Sequence, residues 1–394
     1  MNQKTIEPLV AEKNKVKTQR TSKYELLRFL GAFFVLAFHC LGSKYTWTWS
    51  VFNIFLVVPV PLFIILSGFF LANSSKAKIL KYLWMLLIFY LINIFISFFF
   101  FKYDLIHENA RYRVSWEWVL AFGWGPWWYF WTIPILYLLA PFLNFGLKSV
   151  NKWYSLTFII IFYFIWFFTM NIIVYPQRLV AAGQIIFFMI IYMLGAWWKL
   201  YGAQPKPKNL TLKIAITTLV TIEVINLILF ATLKVSLFTM AANWVVGGYD
   251  SVAEVPATFA NKDTSQPFTI ISALAIFIIF QNLKWNYNWF FNFLGKLSVP
   301  IFLYHFAFMN IVNDTIAPNI FGGIANAEIK GILSTLLIAV ITIAFSSVII
   351  YPVEYGVAKG VSLTHYVINK SKDFVFKNKK VNVEDSKSNK KIKL

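Results

Sequence analysis

Apolar residues in this chain come in long runs separated by short polar stretches. A hydrocarbon core about 30 Å thick needs roughly 20 apolar residues of helix to cross it. Runs of that kind fall at 24–42, 52–71, 82–101, 128–147, 153–174, 180–198, 214–231, 264–280, 297–312 and 331–350, the eighth and ninth being the shorter ones. A closed β-barrel is the other way to leave no backbone group bare in lipid. The short alternating segments it needs are absent. The pattern predicts an all-α polytopic membrane protein of about ten transmembrane helices.

The polar stretches set the orientation, because cytosolic loops are enriched in Lys and Arg. With the N-terminus inside, the four inner loops total 46 residues and hold 11 Lys or Arg. The five outer loops total 90 residues and hold eight, beside eight acidic residues. Both termini are therefore expected in the cytosol. The chain divides into a polar basic tail over 1–23, a ten-helix domain over 24–350, and a second basic tail over 351–394 whose end reads as disordered. The polar first 23 residues lack the form of a cleavable signal peptide. The long outer loop 102–127 carries Trp116, Trp118, Trp124 and Trp127, with Trp128 directly after it. Such residues suit an interfacial belt first, and stacking on sugar rings second.

Composition agrees with this picture. Hydrophobic residues are 59%, charged residues 13% and aromatics 20% of the 394 positions, against about 25% charged in a soluble domain. The net charge of +20 raises nucleic acid as a partner. However, 16 of the 36 Lys and Arg lie in the two tails, which read as anchors on anionic membrane lipids. No nucleic acid is expected. The single Cys40 rules out an internal disulfide. No His-Cys-carboxylate cluster has metal-ligand spacing, so no metal is expected.

The first run holds Glu25, Arg28 and His39. Charges inside a span are costly, which makes them functional candidates. At 100° per residue, Arg28 and His39 differ by roughly 20° around the helix, and Glu25 lies within about 60° of Arg28. Arg28 and His39 stand roughly 16 Å apart along the axis. Between them lie Ala32 and Val35, small enough to leave a groove. An acyl-CoA head at the cytosolic rim against Arg28 would extend its pantetheine arm along that groove, bringing the thioester near His39. Imidazole is suited to take a proton from an attacking hydroxyl. The same spacing also fits a structural arrangement: Arg28 reaching to the interface, Glu25 pairing with it at i,i+3, and His39 bonded inside the bundle.

The arginine–ten residues–histidine pattern, here Arg28 to His39, resembles the signature of the membrane acyltransferase family called acyltransferase type 3. Phe63-Ile-Ile-Leu-Ser67-Gly68-Phe69-Phe70 is similar to the end of that family's second span. Trp128-Tyr-Phe-Trp131 with Leu136-Tyr-Leu-Leu-Ala-Pro141 resembles its fourth, and Leu294-Gly-Lys-Leu-Ser-Val-Pro-Ile-Phe-Leu-Tyr304-His305 a late span with a Leu-Gly start and a histidine. The likeness runs from about Lys23 to Tyr351. It implies transfer of an acyl group, often acetyl, from cytosolic acyl-CoA to an outer hydroxyl on an envelope glycan or lipid-linked sugar, in the cell membrane. It would make His39 catalytic, directly or through an acyl-histidine, and Arg28 its partner at the coenzyme end. Glu25 joins the set as a candidate. Where the family often shows two arginines spaced by two residues, this chain has Lys78 and Lys81. Lysine meets phosphate as a point charge without the bidentate fork.

His305 sits mid-run with Ser298 two turns earlier, and reads as a second base, an acceptor-binding group or a hydrogen-bonded structural histidine. Glu223, near the centre of the seventh run, fits a proton relay or a partner for a bundle cation. His107 and His365 lie outside the runs. An exporter or flippase of a cell-surface polysaccharide or lipid-linked sugar is the competing function. The Arg28–His39 face has no evident use there.

Overall fold

The computed structural model describes residues 21–41, 47–74, 80–102, 128–169, 180–202, 208–233, 266–285 and 287–391. Among these every regular element is a helix. They are α1 (Ser22–Cys40), α2 (Trp47–Val57), α3 (Pro59–Leu71), α4 (Leu80–Lys102), α5 (Trp128–Ser149), α6 (Lys152–Phe168), α7 (Val180–Trp197), α8 (Lys208–Leu233), α9 (Pro267–Asn282), α10 (Trp289–Ile311), α11 (Ala317–Phe321) and α12 (Ala327–Lys391). A π-helical turn at Trp198–Gly202 ends α7, and another at Val312–Ile316 joins α10 to α11.

A helix lies on each of the ten predicted runs, the second being shared by α2 and α3. That span bends by 42° between Val57 and Pro59. Pro59 and Pro61 donate no backbone hydrogen bond, and each ring crowds the carbonyl four residues back. By length and apolarity alone, four helices of the described residues can cross a membrane: Thr132–Ser149, Gln184–Gly202, Asn209–Leu229 and Ala327–Ser371. The bent pair counted as one span makes five. The others miss that standard for readable reasons. α6 and α9 are 17 and 16 residues long. α1 puts Lys23, Glu25 and Arg28 in its first two turns.

α1 packs against α10 along its length and also touches α2, α3, α9 and α12. On one flank α10 is backed by α12, and α12 by α4; on the other, α3 packs on α7, which carries α5 and α6. Two glycines set the α3–α7 crossing. A Cβ on Gly68 would run into the Tyr192 carbonyl, and one on Gly195 into the Ile65 carbonyl. Without a hydrophobic drive between helices in lipid, such close backbone approach supplies the packing. Asn144 on α5 donates to the Leu71 carbonyl at the end of α3 at 2.7 Å and accepts from the Tyr192 hydroxyl at 3.1 Å.

One end of the bundle is fixed by polar contacts. Lys23 donates to the Leu283 carbonyl just beyond α9 at 3.1 Å. The Trp198 indole donates to Gln281 at 2.9 Å, the Trp197 indole to the Lys152 carbonyl at 2.8 Å, and the Tyr201 hydroxyl to the Leu147 carbonyl at 2.9 Å. The starts of α1 and α6 therefore meet the ends of α5, α7 and α9.

α12 continues past Tyr351 as helix to Lys391. After Pro352 no proline interrupts it, and α4 supports its next turns. Gly360 lies against the Trp84 indole ring, where a Cβ would collide, and that indole donates to Thr364 at 2.9 Å. Trp116, Trp118, Trp124 and Trp127 lie outside the described residues, as do Lys78 and His107.

Candidate active site

The site begins at the seam between α1 and α10. Asn288 caps α10, accepting from the amides of Phe290 and Phe291. Its own amide donates to the Ser22 hydroxyl at 2.6 Å, tying the starts of the two helices together. Three residues on, the seam admits Glu25 only because residue 295 is glycine: a Cβ there would lie 2.5 Å from both Cβ and Oε2 of Glu25. Farther along, His39 meets His305. The order of these contacts makes α1 and α10 a parallel pair.

The His39 and His305 rings have centroids 5.3 Å apart and planes inclined by 25°. Phe306 packs on both, 4.5 Å from His39 and 4.2 Å from His305. His39 is half-buried and His305 is 0% exposed. His305 Nδ1 lies 3.2 Å from the Ile301 carbonyl. A carbonyl only accepts, so that contact assigns the proton to Nδ1 and leaves a lone pair on Nε2. Among the described residues Nε2 has no hydrogen-bond partner. A shielded, unpartnered acceptor is costly to keep. Beside a second imidazole it is a group that can hold or pass a proton.

At the other end of α1, Arg28 Nη1 lies 2.9 Å from Glu25 Oε1, with the Arg28 side chain 34% exposed and that of Glu25 6%. The guanidinium sits over the Phe70 ring at 5.3 Å. Lys199, in the π turn ending α7, sits over the neighbouring Phe69 at 4.7 Å. Two cations thus flank Phe69 and Phe70 at the mouth beside Lys23, and the carboxylate of Glu25 offsets one of them. Sequence reading missed Lys199. Its signal was a lysine directly after Trp197-Trp198 at the inner end of a run.

The stripe between Arg28 and His39 is packed. Ala32 is fully buried in a cluster with Leu297 and Ile301 of α10, and Val35 in one with Phe302 and Tyr304. At Gly31 of α1 the Phe63 ring of α3 fills the place of a side chain: a Cβ there would lie 2.9 Å from the tip of that ring. Ser298 donates back to the Gly295 carbonyl at 2.8 Å. Lys81 is exposed at the start of α4 and makes no hydrogen bond or ion pair among the described residues. His365 is exposed on α12. Both Glu223 carboxylate oxygens on α8 are shielded and have no hydrogen-bond partner among the described residues, so the bundle supplies no cation for it there.

A basic end and, farther along α1, an imidazole pair shared with α10 are the groups that acyl transfer from a polyanionic coenzyme would use. No curated protein and no solved structure shows significant similarity to the chain. A family model described as an acyltransferase domain matches residues 22–351, which holds both ends of the site. With its apolar helices, the chain is a membrane protein of the acyltransferase type 3 family.

Proposed function

We propose that the protein transfers an acyl group, acetyl in the simplest case, from cytosolic acyl-CoA to a hydroxyl of an envelope glycan or lipid-linked sugar beyond the membrane. In this reading ten spans cross the cell membrane and both ends of the chain are cytosolic. The observation that carries the proposal is the His39–His305 pair, with an unpartnered Nε2, standing along α1 from a basic mouth. The meeting of the α1 and α6 starts with the α5, α7 and α9 ends supports the alternation of spans.

The coenzyme phosphates lie against Arg28 and Lys199 at the mouth. Lys81 at the start of α4, and Lys78 shortly before it in the sequence, add positive charge. The pantetheine arm follows the α1–α3 seam past Gly31, displacing the Phe63 ring. The acceptor oxygen attacks the thioester carbonyl: a C–O bond forms, the C–S bond breaks, and the coenzyme leaves as its thiolate. His39 takes the hydroxyl proton, His305 holds the ring in place through their stacked contact, and the proton ends on the coenzyme sulfur. Glu25 orients Arg28. Positioned acid–base groups of this kind contribute about 10²–10⁴-fold to rate.

The test incubates membranes with radiolabelled acetyl-CoA. Label in an envelope fraction that depends on the gene and is lost with His39→Ala at normal expression is the expected result. Loss of surface glycan with acylation unchanged would replace the enzyme by an exporter.

A further inference from the structure

Buried polar groups in a membrane bundle are normally hydrogen-bonded, because lipid offers no substitute partner. Apart from single atoms on Asn292, His305 and Ser346, the departures among the described residues gather in one part of the bundle. α2, α8 and α9 pack against one another, and they carry four side chains whose shielded polar atoms have no hydrogen-bond partner among the described residues. These are both amide atoms of Asn53 on α2, both of Gln266, the Ser272 hydroxyl on α9, and both carboxylate oxygens of Glu223 on α8. Asn53 is 1% exposed, Gln266 and Ser272 0%. Gln266 occupies the N-cap position of α9, yet its side chain makes no capping bond.

These groups sit away from the coenzyme mouth. The end of α9 is at that mouth, through Gln281 and Leu283, so Gln266 at its start is at the opposite end. Ser272 is six residues deeper, about 9 Å along the helix. Glu223 stands ten residues before the end of α8 at Leu233, about 15 Å in from it. The polar atoms are spread along the depth of the bundle.

Their chemistry selects the ligand. Asn53, Gln266 and Ser272 present donors as well as acceptors. A bare cation would engage the oxygens and leave both amide NH₂ groups unsatisfied. A sugar ring offers, at each carbon bearing a hydroxyl, one donor and one acceptor, and satisfies both kinds of atom. We propose that Asn53, Gln266, Ser272 and Glu223 form a binding site for a neutral polyhydroxylated acceptor entering from the face opposite the coenzyme mouth. The inference rests on the acyl-transfer reading for the word acceptor. α2 links the two sites: Phe55, two residues from Asn53, stacks on Phe34 of α1 at 5.5 Å.

The experiment measures thermal unfolding of the full protein in nanodiscs with methyl β-glucoside, methyl β-galactoside and methyl N-acetyl-β-glucosaminide, and with sodium against potassium chloride. At least one glycoside should raise the midpoint by a few degrees in the wild type and in His39→Ala. Asn53→Leu and Gln266→Leu should lose that shift while their ligand-free midpoints equal or exceed the wild type, since an apolar replacement removes an unsatisfied buried group. No glycoside shift in the wild type, a shift kept by both variants, a sodium-specific shift lost by both, or ligand-free midpoints that fall in both would each overturn the site. Binding is read without turnover. A glycoside shift in a protein that transfers no label from acetyl-CoA would keep the polyol site and remove the enzyme.

Discussion

The Glu25 side chain fills the space that a side chain on residue 295 would need: a Cβ at Gly295 would lie 2.5 Å from Glu25 Oε2 and 2.8 Å from its Cα. The second of these is backbone, so the conflict can be relieved only by moving α1 away from α10. Everything farther along the seam, including the His39–His305 contact, depends on that approach.

Gly295→Ala is therefore expected to destabilise the protein by about 1–3 kcal/mol, as overpacking does, and to reduce acyl transfer with it. Gly146→Ala is the control. A Cβ there meets nothing within 4 Å, and alanine in a helix interior is favoured by up to ~1 kcal/mol. Thermal unfolding of the two variants beside the wild type checks the contrast.

His39→Ala and His305→Ala should each lower acetyl transfer by about 10²-fold or more, with acyl-CoA binding unchanged. Groups acting as a unit are not additive. The double variant should be no slower than the worse single one, and multiplication of the two losses would mean that the rings act separately.

Arg28→Gln should raise KM for acyl-CoA about tenfold while leaving kcat near its wild-type value, as loss of uniform binding does. Glu25→Gln should lower stability less when Arg28 is already Gln, with a coupling of about 0.5–3 kcal/mol in the cycle. Steady-state kinetics and unfolding of the four proteins give both readings.

Gly68→Ala and Gly31→Ala separate two kinds of close contact. At Gly68 the obstacle is the backbone of Tyr192 and Ala196; at Gly31 it is the tip of one aromatic ring. The first substitution should cost about 1–3 kcal/mol. The second should be tolerated in folding but should weaken acyl-CoA binding if the arm shares the ring's space. Equal thermal midpoints for the two would contradict the packing described.

Helix positions and the Glu25–Arg28 pair were legible in the sequence because both follow from local period: apolar runs of span length, and charges three residues apart on one face. The partners across helices were not. His39 and His305 stand 266 positions apart in the chain, and nothing in either run gives their mutual register. The small residues Ala32 and Val35 read as a groove, yet in lipid small residues serve equally to bring helices together, and α10 fills that stripe. Asn53 was not singled out in the sequence. Its lack of a partner among the described residues is a property of three packed helices and is not written in one of them.

The break at Val58 and Pro59 gives the second span two halves with different freedoms. α3 is locked, glycine against backbone, onto α7. α2, above the bend, shares no such lock and carries Asn53 on its way between α1 and α8. Tilting α2 would admit or release a large guest on one side of the membrane while Phe69 and Phe70, on the fixed half, keep their grip at the other. In the proposed reaction, a single covalent span would then serve two compartments on independent schedules, one for the donor and one for the acceptor.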